Sequence, residues 1–268
     1  MYTPQSYRRL LTLLKAREYR FVGYGEKPFL EESAKVVYLR HDIDYSPEWA
    51  LDFARINADH GIFGTFFFQT RSPIYNLLAY RSLAIVEKIV SLGQHVGLHY
   101  TIHEKNTGDK ETLVKHIAEE YRHVLAYLPK MSPVFSWHNP SLAPDILISG
   151  MDMEISGMIN TYSRYFIEQV RYFADSNLRY SLQDFDNIID IGHPRLQLLF
   201  HPFQWMTEGK SMKHILAKTW IQVIRERETE FLNNHIYREL FPIGMPSEWL
   251  EQLSIRFGEF SKAGQGNP

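Results

Sequence analysis

Six short apolar runs in this chain each stop at a polar cluster, and this repeated junction limits the folds open to it. Tyr38-Leu39 leads through Arg40 into His41-Asp42-Ile43-Asp44, and Phe66-Phe67-Phe68 leads into Gln69-Thr70-Arg71. Val96-Gly97-Leu98 leads into His99-Tyr100-Thr101-Ile102-His103, and Val134-Phe135-Ser136-Trp137 into His138-Asn139-Pro140. Residues 171–174 lead into Asp175-Ser176, and Leu198-Leu199-Phe200 into His201-Pro202. Longer helical patterns separate the early runs. One spans 47–60, opened by Ser46 as N-cap and Pro47 at the first helical position, and others span 80–92 and 111–128. Strand alternating with helix implies parallel strands joined by crossovers. With a further short strand near 154–155, about seven parallel strands are expected, in an α/β fold of the (β/α) barrel type. In such a barrel the reactive groups lie at the C-terminal strand ends, so the six clusters should meet at one mouth. The 268 residues suit one catalytic domain over 1–268, with a helix near 4–18 and closing helices within 212–260 packed on it.

Basic and acidic residues nearly balance, 29 against 31. That balance, with no Lys/Arg block, gives no footprint for nucleic acid or a membrane surface. No apolar stretch has the length of a transmembrane helix, and the apolar run at 10–14 is too short for a signal sequence. A cytoplasmic location is therefore expected. The chain has no cysteine, which excludes disulfides and thiolate metal sites. Any transition metal must be held by histidine and carboxylate. That donor set suits zinc, and also iron, manganese, cobalt or nickel.

Asp42 and Asp44 flank one residue, and alternate residues of an extended segment share a face. Both carboxylates can therefore reach one site, one as metal ligand and one handling protons; capping of the helix at Pro47 is the competing role. His99 and His103 are four apart, the spacing of zinc-binding pairs on one helical turn. Together with an Asp-x-Asp at another strand end they make two imidazoles and a carboxylate, a set that leaves positions open on the metal, as catalytic sites do. Asp175 and His201 follow later strands and could pair as carboxylate and general acid; a helix cap and a packed core histidine are the alternatives. His41 and His95 read as structural, because alternation turns His41 away from the Asp42 face. Aromatic residues near the clusters suit stacking on a sugar, although core packing is their commoner fate.

These motifs resemble the polysaccharide deacetylase family over residues 36–205. Leu39-Arg-His-Asp-Ile-Asp44 is similar to a loose form of its first motif, and Gly93-Gln-His-Val-Gly-Leu-His99-Tyr-Thr-Ile-His103 to its second. The resemblance implies Asp42 as catalytic base and Asp44, His99 and His103 as ligands of a divalent metal, zinc in the first instance. Leu198-Leu-Phe-His201 resembles the motif that supplies the general acid, with Asp175 its partner. The family's Arg-Pro-Pro-x-Gly, whose arginine orients the base, is replaced by Ser136-Trp-His138-Asn139-Pro140-Ser141. Either His138 joins the catalytic set in that role, or Arg40, Arg71 or Arg179 reaches in. Substrate contacts are expected from Arg71, Tyr75, Tyr100, Trp137, Asn139, Ser176 and Arg179. The implied activity is hydrolysis of an N-acetyl or N-formyl group on an amino sugar. The His-Asn-Pro variant resembles proteins of bacterial surface-polysaccharide (O-antigen) biosynthesis, so the substrate partner would be such a polysaccharide or its precursor. The alternatives are an amidohydrolase or O-acyl esterase acting on another small molecule, or a carbohydrate-binding relative without turnover.

Overall fold

The computed structural model describes residues 1–25, 34–102, 110–142, 152–242, 244, 249 and 252. The chain enters through α1 (Pro4–Ala16), which Thr3 caps reciprocally with Ser6 and which buries Tyr7, Leu10, Leu11 and Leu14 at helical spacing. Then follow β1 (Arg20–Phe21), β2 (Val36–Ile43), α2 (Pro47–Asp59), β3 (Thr65–Phe68), α3 (Tyr80–Ser91), β4 (His95–Thr101), α4 (Lys110–Leu125) and β5 (Val134–His138). A short antiparallel pair, β6 (Glu154–Ile155) and β7 (Met158–Asn160), precedes α5 (Arg164–Glu168) and β8 (Arg171–Ala174). The remaining described elements are α6 (Leu182–Ile191), β9 (Arg195–Phe200), α7 (Pro202–Met206), α8 (Met212–Phe231) and α9 (His235–Leu240).

The strands form one sheet in the order β6-β7-β5-β4-β3-β2-β9-β8, with β1 paired to β2. Every pairing except β6–β7 is parallel. The path from β7 to β8 thus carries seven parallel strands and β1 adds another, while the strand expected near 154–155 is β6, which runs antiparallel. Among the described residues no pairing joins its two ends, so the barrel is incomplete. It is nonetheless curled. β5 and β8 are five strand spacings apart along the sheet, about 24 Å if it were flat, yet both border one cavity of about 570 Å3.

β2 is the axis of the sheet. All eight of its residues are buried, including Arg40, His41 and Asp42. Strands covered on both faces are normally apolar throughout, so three ionisable residues here need partners. His41 points away from the cavity, as alternation requires. Its Nε2 lies 3.3 Å from the Tyr7 hydroxyl of α1 and 3.2 Å from the Asn57 amide of α2. Burial pushes its pKa down to about 3, so this imidazole is a neutral piece of the core. His95 stacks on Phe63, with ring centroids 5.0 Å apart. No helix among the described residues is long and apolar enough to cross a membrane.

Candidate metal centre and active site

The cavity opens at the C-terminal ends of β2, β4, β5, β8 and β9, where Asp42, Asp44, His99, His138, Ser176 and His201 line it together. Asp44 lies just past β2, and its Oδ1 is 3.3 Å from His99 Nε2 and 3.9 Å from His138 Nε2. One donor atom from each of Asp44, His99 and His138 falls within 4.8 Å of the others. Ligands at zinc–nitrogen and zinc–oxygen distances around a tetrahedral ion stand about 3.3 Å apart, so the spacing fits a divalent cation. The neighbouring bonds fit it too. His99 is buried, and its Nδ1 is 2.7 Å from the Ser136 hydroxyl. With Ser136 accepting from Nδ1–H, Nε2 keeps a free lone pair facing Asp44, the orientation that a ligating histidine needs.

β4 runs extended from His99 through Thr101, so the interval from His99 towards His103 does not begin as a helical turn. His103 itself lies outside the described residues. Among those described, His138 completes the trio, brought beside His99 by the β4–β5 pairing that sets Thr101 opposite His138.

Asp42 faces the same cavity, with Oδ2 at 3.6 Å from His99 Nε2. The arginine expected somewhere near it comes from its own strand. Arg40 Nε donates to Asp42 Oδ1 at 2.8 Å and Nη2 to Oδ2 at 2.6 Å. Its guanidinium lies over the Phe67 and Tyr162 rings, at 5.6 and 4.9 Å from their centroids. Burial alone would raise the Asp42 carboxyl, but Arg40 outweighs it and holds Asp42 well below the usual carboxylate range. Asp44 is also lowered: burial opposes its charge, and the imidazoles of His99, His201 and His138 around it outweigh that cost.

On the opposite wall His201 Nδ1 is 2.5 Å from Asp175 Oδ1. Asp175 Oδ2 accepts from the His201 backbone N–H at 2.8 Å and from Trp205 Nε1 at 2.7 Å. With Nδ1 engaged, His201 presents Nε2 to the cavity, 3.9 Å from Asp44 Oδ2. Burial works against the imidazolium, and the Asp175 carboxylate more than reverses it, raising His201 to about 9.

The seven expected substrate contacts divide. Trp137, Asn139 and Ser176 border the cavity, while Arg71, Tyr75, Tyr100 and Arg179 are not among its lining residues. Arg71 is exposed and pairs with Glu120 of α4 at 3.1 Å. The Tyr75 hydroxyl is spent on the backbone, donating to Ile43 O and accepting from Gln69 N–H, both at 2.8 Å. Tyr100 is fully buried, edge-on to Trp137. Arg179 is exposed. In their place Tyr45, Tyr162, Tyr172 and Phe203 supply aromatic walls, and Asn177 an amide. Tyr45, Asn177 and Phe203 adjoin the polar clusters in sequence, but nothing local marks Tyr162 and Tyr172. Asn139 and Asn177 both take positive φ, 55° and 57°, a conformation asparagine tolerates better than most residues. α8 adds Met212 and Leu216 to the rim.

No protein-family model matches the chain, and no curated protein does. Solved structures do. A Streptococcus mutans CE4 esterase shares 13% identity, with 85% of this chain and 88% of that one covered and a TM-score of 0.44. A family 4 carbohydrate esterase from Streptomyces lividans in complex with acetate shares 14%, covering 71% and 88%, with a TM-score of 0.40. BA3943, a CE4 family pseudoenzyme from Bacillus anthracis, shares 16%, covering 73% of this chain, with a TM-score of 0.45. The chain spans 63% of that pseudoenzyme's length and 65% of the length of its mutant with restored activity. Identities this low leave the chemistry to be argued from the site itself.

Proposed function

We propose that this chain is a divalent-cation-dependent hydrolase that removes an N-acyl group, N-acetyl or N-formyl, from an amino sugar. The observation that carries the reading is the convergence of Asp44, His99 and His138 on one point, with Asp42 beside it and His201 facing it. A catalytic cation needs three protein ligands and an open side, and the cavity supplies both. The chemistry such a cation contributes is Lewis acidity, which polarises an acyl oxygen and makes water acidic enough to be deprotonated near neutral pH.

The chain's own groups do the rest. Asp42 accepts the proton of the attacking water. Arg40 occupies one lone pair on each Asp42 oxygen and leaves others facing the cavity, so the clamp fixes the base without blocking it. His201, with Nδ1 held by Asp175, gives its Nε2 proton to the leaving amine. The walls suit a sugar: tyrosine and phenylalanine rings pack against its C–H faces, while Asn139, Ser176 and Asn177 meet hydroxyls. The His138-Asn139-Pro140 variant of the motif supports a bacterial surface-polysaccharide unit or precursor as substrate, handled in the cytoplasm.

The test is release of acetate or formate from a panel of N-acyl amino sugars, run beside O-acyl sugars and simple amides, with the zinc-loaded protein. Release from amino sugars that disappears in Asp42→Asn and His201→Gln supports the reading. A stoichiometrically loaded protein that binds glycans and releases nothing overturns it.

A further inference from the structure

Gln69 directly follows β3, is buried at 2% exposure and has no place in the chemistry above. Three bonds fix it. Its backbone N–H donates to the Tyr75 hydroxyl, which in turn donates to Ile43 O, tying the end of β3 to the end of β2. Its Oε1 accepts from the Thr101 hydroxyl of β4 at 3.2 Å. Its Nε2 donates to Asp44 Oδ1 at 3.3 Å. The orientation of the amide follows from chemistry. An ionised carboxylate only accepts, so the amide must turn its N–H to Asp44, leaving its oxygen for the hydroxyl of Thr101.

Asp44 Oδ1 is the atom that faces both His99 and His138. Its carboxylate can turn about χ2, and that freedom would scatter the donor atoms of the trio. We infer that Gln69 is a positioning residue of the cation site: its amide takes one lone pair of Asp44 Oδ1, aims the other at the two imidazoles, and leaves Oδ2 towards His201. An amide suits this task because it donates a hydrogen bond without charge. A lysine or arginine there would repel the cation, and a carboxylate would repel Asp44. Thr101 acts one bond further out, by keeping the amide from flipping. The inference rests on the cation reading of Asp44, His99 and His138.

Zinc and cobalt dissociation constants test it, measured on the full chain as wild type, Gln69→Met, Thr101→Val and the double variant, with apoprotein melting temperatures alongside. Partners of metal ligands typically carry 10- to 100-fold in affinity. Gln69→Met should weaken zinc binding by roughly that factor and shift the visible bands of the cobalt form, with Thr101→Val weakening it less. In the Gln69→Met background Thr101→Val should then add nothing, because its effect passes through the amide. A folded Gln69→Met with wild-type affinity and cobalt spectrum overturns the inference. If that variant fails to fold, Thr101→Val decides in the same way, unchanged affinity overturning it. A wild type that binds neither metal is a separate outcome, which sinks the cation reading and the inference with it.

Discussion

Arg40 and Asp42 form a two-pronged ion pair within a single strand, two residues apart and both buried. Removing one member of a buried pair leaves the other charge uncompensated, which costs about 3–5 kcal/mol. Arg40→Met should therefore lower stability by that order in urea unfolding and leave less hydrolysis than its loss of folded protein explains. Arg40→Lys cannot make the fork and should recover little. The double variant Arg40→Met/Asp42→Leu should regain most of the stability while remaining inactive. If Arg40→Met is as stable as wild type, the pair carries no structural weight.

Metal content should sort the acidic and imidazole groups of the cavity. Asp44→Asn, His99→Ala and His138→Ala should each lose bound zinc after dialysis, measured by elemental analysis, whereas Asp42→Asn should keep it and lose turnover. Full retention in His138→Ala would move the third ligand elsewhere, with His103 and His201 the first to examine.

Stability should fall with rising pH through a group remote from the chemistry. Glu226 of α8 accepts from the Ser46 hydroxyl and from Gln222, beside Glu48, which itself pairs with Arg81. Burial, then the neighbouring Glu48 carboxyl, push Glu226 from its ordinary 4.5 up to about 8. A carboxyl raised on folding stays protonated in the native state while the unfolded chain ionises. Its contribution is thus complete below pH 4.5 and is lost as pH rises towards 8. Glu226→Gln keeps an acceptor for Ser46 and cannot ionise. It should flatten that part of the profile in urea unfolding at pH 5 and pH 8. An unchanged slope would assign the pH dependence to other groups.

Gly97 should not tolerate a methyl group. A Cβ there would lie 2.7 Å from a Phe67 ring carbon and 2.9 Å from Val134 Cγ1. Both neighbours are buried side chains on the strands that flank β4, so neither has open space to move into. Gly97→Ala should cost roughly 1–3 kcal/mol and displace His99, visible as lower stability together with weaker zinc binding. Loss of neither would show slack in the sheet at this point.

The alternation of apolar run and helix was enough to read the parallel sheet, and the Ser46-Pro47 start of α2 was legible from cap chemistry alone. The end of β4 was not. Tyr100 and Thr101 sit in a stretch that reads as a polar cluster, and only pairing with Trp137 and His138 shows that they continue the strand. α6 escaped notice although Ser181 and Asp184 form a reciprocal cap ahead of buried Phe185, Ile188 and Ile189; that signal was present and local. In the site, Arg40, Arg71 and Arg179 were equal candidates for the arginine near Asp42, because composition does not rank them. Strand periodicity does, since residues 40 and 42 share a face. Tyr75 illustrates the reverse difficulty. A hydroxyl beside the mouth looks the same in sequence whether it meets substrate or, as here, bridges two strand ends. Tyr162 and Tyr172 reach the cavity through the curl of the sheet, which no short stretch of sequence encodes.

The rim contributed by Met212 and Leu216 stands on α8, which begins after the last strand has ended, while Asp44, His99 and His138 stand on or immediately beside the sheet. Part of the cavity's wall thus stands on an element that can vary separately from the sheet. If the proposed hydrolysis is the activity, residues on one turn of α8 can be exchanged to reshape the entrance while Asp44, His99, His138 and the Arg40–Asp42 pair keep their spacing, so a lineage built on this scaffold can change its diet without relearning its chemistry.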